Sequence, residues 1–243
     1  MAAKAVAVIA GVGPGTGASI ARRFAKSYAV ALLARNPDNY QPIVREISSS
    51  GGHAVGISTD VTDEKSVKGA FTEITKTFPG APLAAAIYNV GGGLVRKPFL
   101  ELSGQEFEAG FASNGLGAFH FSQAAIPLLL KGLNLEYPPT LIFTGATASL
   151  KGSARLAPFT TGKFALRALS QSLAREFGPQ GIHVSHVIVD GIIDIERTKQ
   201  IHFDAPDAKL DPNSIADTYW YLHSQPRTTF TQEIDLRPYV EKW

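Results

Sequence analysis

The chain has 243 residues, with 23 Lys and Arg against 21 Asp and Glu, for a net charge of +2. That length suits one large α/β domain or two small ones, and no basic run is long enough to form a nucleic-acid face. The absence of cysteine excludes disulfides, thiolate catalysis and cysteine metal ligands and fits a reducing compartment, so a cytoplasmic location is expected.

Taken in chain order, apolar strand-like runs fall at 5–9, 29–33, 54–58, 84–88, 140–144, 183–189 and 233–236. Several are almost uniformly apolar, as strands covered on both faces must be. The first, in AVAVIAGVG, is cut short by glycine and is too short to span a membrane. Helical patterns separate the runs. Ile20 and Phe24 share one face after the glycine loop, and Val67, Phe71 and Ile74 share another. This alternation predicts a doubly wound parallel sheet in a three-layer αβα, Rossmann-like arrangement. No repeat and no composition shift divides 1–243, so one domain is expected. The segment 195–215 contains Pro206 and Pro212 and has weak periodicity. It is expected to be a mobile loop over a substrate.

The stretch VAVIAGVGPGTGASIARRF has the order strand, glycine turn, helix. Glycines let backbone N–H groups approach an anion, and a helix N-terminus adds unpaired donors and a positive dipole end. Gly11, Gly15 and Gly17 form GxxxGxG, enclosing Gly13, and Thr16 stands where the commoner spacing has its third glycine. A dinucleotide site for a bare ribose hydroxyl carries an acid about 20 residues further on. Here Arg35 occupies that place, with no carboxylate before Asp38. An arginine can pair with a 2′-phosphate, so NADPH is expected over NADH.

With these residues in hand, the chain resembles the short-chain dehydrogenase/reductase family over nearly its whole length. GVGPGTG is similar to that family's glycine loop, and Asp60-Val61 to its acid–aliphatic pair beside the adenine. YNVG at 88–91 stands where the family has NNAG, so Asn89 and Gly91 match. SNGLGAF places Asn114 at the family's active-site Asn, and GKFALRALSQSLAREF places Lys163 at its Lys. The resemblance implies that Lys163 holds the nicotinamide ribose, that Asn114 anchors a water chain and that the backbone near Ile192 meets the nicotinamide amide. It also implies a homodimer or homotetramer acting on a small molecule, with helical segments 114–131 and 163–177 at the subunit contact.

Two family residues are missing. The proton-transferring Tyr is Phe159, and the carbonyl-polarising Ser, thirteen residues earlier, is Ala146. Thr147, one position along, substitutes only if the loop shifts. Where the family has PGxxxT this chain has Asp190, Gly191 and Asp194. Asp194, Tyr88 and His186 are alternative proton sources, against competing readings as a solvated turn carboxylate, a packing side chain and a satisfied strand histidine, and the triplet Gly91-Gly92-Gly93 either lets backbone crowd a ligand or is a flexible loop. His183 and His186, three apart on one strand, face opposite sides, and no metal site is expected. The redox reading is an oxidoreductase acting on an activated C=N, C=C or carbonyl group. The alternative is a non-redox enzyme (an isomerase, dehydratase or cyclase) or a silent cofactor-binding protein.

Overall fold

In a computed structural model, which describes residues 5–92 and 94–242, the seven expected strands form one sheet. They are β1 (Val6–Ala10), β2 (Ala29–Ala34), β3 (Ala54–Ser58), β4 (Leu83–Tyr88), β5 (Thr140–Ala146), β6 (His183–Val189) and β7 (Glu233–Leu236). All pairs are parallel, in the order β3-β2-β1-β4-β5-β6-β7. Five boundaries, on four strands, differ from the sequence expectation by one or two residues. The largest is in β5, which continues to Ala146 because its ladder with β6 continues to the pair Ala146–Val189.

Among the described residues, seven α-helices cover the sheet: α1 (Thr16–Ala25), α2 (Gln41–Ser49), α3 (Glu64–Thr77), α4 (Gly104–Phe111), α5 (Gly117–Leu129), α6 (Ala157–Phe177) and α7 (Pro212–His223). Strand side chains alternate between the faces. Val8, Leu33, Leu141 and Phe143 join Phe71, Phe121 and Leu166 on one side. Ile9, Leu32, Ile142 and Val187 join Phe24 and Tyr219 on the other. Burying a side chain such as Phe121 contributes about 1.5–3 kcal/mol, so both layers hold the sheet, and the expected helix-face residues are all buried.

Local chemistry sets the helix starts. Asp63 caps α3 through the Lys65 amide, Ser103 and Glu106 close a capping box on α4, and Asp211 caps α7 just before Pro212. Between α4 and α5 the chain makes one π-helical turn, Ala112–Leu116. Such turns recur at functional sites. The expected loop 195–215 ends inside α7. Its earlier part is bridged to the fold at Ile193–Leu210, and Lys209 Nζ donates to Thr198 O at 2.8 Å. Among the described residues, no helix is long and apolar enough to cross a membrane.

Candidate active site

The strand order reverses between β1 and β4. In open parallel sheets the crevice at such a point, outside the carboxyl ends of the strands, takes the ligand. Gly11 follows β1 there with φ +83°, and a Cβ would lie 2.4 Å from Asn89 O, so no other residue fits. Asn89 follows β4, donates from Nδ2 to Gly11 O at 3.1 Å and accepts the Thr144 hydroxyl at 3.0 Å. Gly17 packs against Gly11 O, which brings the first turn of α1 onto the loop. Gly15 lies under Ile195 Cγ2, and a Cβ on Gly13 or Gly91 would meet nothing within 4 Å. No side chain caps α1, and Thr16 opens it. An uncapped helix end beside open space is a cradle of the kind a pyrophosphate fills.

Arg35 is exposed at the end of β2, its carbonyl held by Ser58 Oγ at 2.7 Å. Its charge acts on Asp60, whose carboxyl lies below the usual carboxylate range. The Thr62 amide is the main cause, and the Thr62 hydroxyl and Arg35 add to it. Val61, beside Asp60, is buried. Ile192 is half-buried, and its carbonyl accepts the Leu210 amide at 2.8 Å.

Lys163 comes up from α6, buried, and donates from Nζ to Thr144 O at 2.8 Å. Burial alone pushes its ammonium down to about 8, so it still carries its charge at neutral pH. Phe159, one turn earlier on α6, places its ring centroid 5.9 Å from Nζ. Asn114 sits fully buried in the π-helical turn. Its amide donates to Gly110 O at 3.0 Å and Gly92 O at 3.1 Å, tying the turn to the loop after β4, while its Oδ1 has no donor among the described residues.

The alternative proton sources fail on geometry. Tyr88 is completely buried, its hydroxyl donates to Ser113 O at 2.5 Å, and burial pushes its pKa up. Asp194 is exposed, with Lys209 Nζ at 3.8 Å, so it is a solvated turn residue. His186 is buried beneath α6, and burial lowers its pKa to about 4, against the opposing pull of Glu233. Its Nδ1 lies 2.9 Å from Glu233 Oε2, which can only accept, so the neutral ring donates there and Nε2 carries no proton. His183 faces the other side, between Leu222 O and Thr231 O and stacked on Phe230. A cavity of about 410 Å³ beside His183 and Phe230 lies at the opposite end of β6 from this crevice. Gly93 of the glycine triplet lies outside the described residues.

Thr147 needs no loop shift to find a partner. Its hydroxyl donates to Asp190 Oδ1, and Arg237 Nη2 lies 3.0 Å from Asp190 Oδ2. The sequence reading named Asp190 as a departure from the family but gave it no role, although a carboxylate directly after an apolar strand and one residue before glycine was a visible signal.

The model of the short chain dehydrogenase family matches residues 5–204. The chain belongs to this family. A short-chain dehydrogenase from Rhodopseudomonas palustris is similar at 33% identity and TM-score 0.82, with 97% of this chain and 99% of that one covered. An alcohol dehydrogenase from Thermococcus sibiricus, solved with 5-hydroxy-NADP, shares the fold at 24% identity and TM-score 0.84, with 98% of each chain covered. An uncharacterized oxidoreductase of Staphylococcus aureus is 26% identical over 234 residues, 96% of each chain. The parallel sheet and its switch point are therefore those of the short-chain dehydrogenases.

Proposed function

We propose that the protein is an NADP(H)-dependent oxidoreductase whose substrate is reduced or oxidised without a phenolic proton donor. The observation that carries this reading is the buried Lys163 beside Phe159, at the carboxyl end of β5, with Ala146 completing a site that has no hydroxyl at either of the family's two positions.

In this reading the loop Gly11–Gly17 and the uncapped start of α1, including Gly13, Gly15 and Thr16, hold the pyrophosphate. Arg35 pairs with the 2′-phosphate, Asp60 and Val61 border the adenine, and Asn89 and Gly91 line the floor. Lys163 holds the nicotinamide ribose, and the backbone near Ile192 meets the carboxamide. The nicotinamide supplies hydride chemistry. Phe159 packs against the reacting partners and excludes water, and Asn114 fixes the turn behind Lys163. The segment 195–211, whose Ile195 lies on Gly15, is the part that would move to admit substrate. Exposed Phe111, Phe119 and Phe164 on α4, α5 and α6 support a homodimer or homotetramer. A 7α-hydroxysteroid dehydrogenase of the same fold was solved with NADH, at 23% identity and TM-score 0.84. The preference for NADPH therefore rests on Arg35 and not on the relatives.

Calorimetric titration with NADPH and with NADH tests the reading. Tight binding of NADPH and weak binding of NADH is expected. Failure of both to bind a folded sample overturns it.

A further inference from the structure

The polar groups at the carboxyl ends of β5 and β6 have an unusual balance of donors and acceptors. Ala146 and Val189 are paired in the sheet, so Thr147 and Asp190, the next residue on each strand, leave it side by side. Asp190 is buried, and Thr147 is half-buried. A Thr hydroxyl has one proton and two lone pairs. Here the proton goes to Asp190 Oδ1, so Thr147 Oγ1 can only accept from a third group. Asp190 is an acceptor as well, and its Oδ2 already meets Arg237, which also bonds Asp235 at 2.6 Å. The two carboxylates exceed the one guanidinium by one negative charge.

Of the neighbouring groups, Lys163 carries a positive charge, but its remaining N–H groups are the ones assigned to the nicotinamide ribose. Lys163 directs Nζ at Thr144 O, three residues before Thr147. The Asn114 amide hydrogens are engaged by backbone carbonyls, leaving Oδ1 as a buried acceptor. Phe159 and Ala146 have nothing to donate. A ketone oxygen brings only lone pairs, and with Lys163 given to the nicotinamide ribose it meets only acceptors at Thr147, Asp190 and Asn114 Oδ1. A protonated nitrogen brings N–H donors and positive charge, which match what Thr147 and Asp190 present.

We propose that Thr147 and Asp190 form the polar end of the substrate site and select a nitrogen cation, an iminium for reduction or the corresponding secondary amine for oxidation. This rests on the oxidoreductase reading and names its substrate class. The step balances without a protein acid. Hydride from a dihydronicotinamide adds to the iminium carbon, the C=N π pair becomes the nitrogen lone pair, and the N–H is kept. The dinucleotide leaves oxidised. Thr147 Oγ1 orients the N–H, and Asp190 stabilises the cation by fixing the Thr147 proton on its own side.

The test is binding, measured calorimetrically with tetrahydroisoquinoline, a secondary ammonium at neutral pH, and with its neutral ether isostere isochroman. Each is titrated into the chain with and without NADP⁺. The amine is expected to bind more tightly by about tenfold or more, the scale of one charge-assisted hydrogen bond. Thr147→Val and Asp190→Asn should each remove most of that preference, and Thr147→Ser should keep it. Asp190→Asn also disturbs the Arg237 pair, so Thr147→Val, which leaves that pair in place, is the deciding variant. Equal binding of amine and ether by the wild-type chain, or a preference that survives Thr147→Val, overturns the proposal. Failure of NADP⁺ to bind instead overturns the oxidoreductase reading, and the amine preference is then judged in the cofactor-free arm.

Discussion

Restoring the two absent hydroxyls should turn this site into a ketone reductase, and the gain can be worked from the position of Lys163. The Phe159 ring centroid lies 5.9 Å from Lys163 Nζ. At that separation, with an effective dielectric of about 20, a phenolate and an ammonium attract by about 2.8 kcal/mol, about two pKa units. Before the opposing cost of burial, that attraction would lower the pKa of a phenol introduced by Phe159→Tyr, toward working pH. A positioned acid of that kind contributes about 10²–10⁴-fold, or about 3–5 kcal/mol of barrier. Ala146→Ser adds a donor for the carbonyl oxygen. The assay is NADPH oxidation with a panel of simple ketones, with label transfer from deuterated cofactor as the check that hydride moves. The double variant should exceed wild type by at least about 10²-fold in kcat/KM. A variant that binds NADPH as tightly as wild type yet gains less than about tenfold would refute the reasoning, because the pocket would then differ by more than two hydroxyls.

Four further outcomes are expected. Arg35→Ala should weaken NADPH binding by about tenfold or more while leaving NADH nearly unchanged, as calorimetry would show; equal losses would remove Arg35 from the 2′-phosphate. Burial lowers His186 to about 4 and His223 to about 3, from 6.5. In acid the unfolded chain binds protons that the folded one does not, so stability is full above about pH 6.5 and falls by about 1.4 kcal/mol per unit for each group down to its folded value. Denaturant unfolding at pH 7 and pH 5 should show this slope reduced in His186→Gln, and an unchanged slope would contradict the burial argument. Ala normally stabilises a helix over Gly by about 1 kcal/mol, but a Cβ on Gly162 would lie 2.3 Å from Gly110 O. Gly162→Ala should therefore destabilise by about 1–3 kcal/mol in thermal unfolding, and a variant as stable as wild type would place α4 and α6 further apart. Lys163→Met should make the cofactor-free chain more stable at pH 7 by up to about 3 kcal/mol, with the advantage disappearing as pH rises from about 8 to 10.5, and a pH-independent difference would exclude the buried charge as its cause.

The parts of this structure that depend on local periodicity were legible in the chain. Most of the strands were visible because both faces of a covered parallel sheet must be apolar, and the glycine loop because only Gly11 can take φ +83° against Asn89 O. The bounds of β5 were not legible, since Gly145 and Ala146 look like the start of a turn until β6 is placed beside them. The candidate proton sources could not be decided from the sequence for the same reason. Tyr88, His186 and Asp194 are each plausible from residue type alone, and only tertiary contacts show a hydroxyl tied to Ser113, an imidazole tied to Glu233 and a carboxylate in solvent.

Thr147 and Asp190 are forty-three residues apart, and no period links them. They meet because β5 and β6 are neighbours in register, so that one residue past each strand end arrives at the same place. A side chain's chemistry in such a site depends on which of its protons is already engaged, a property of the pair and not of either residue. That is why the missing Tyr and Ser could be counted in the sequence while the pairing of Thr147 with Asp190 could be found only in the fold.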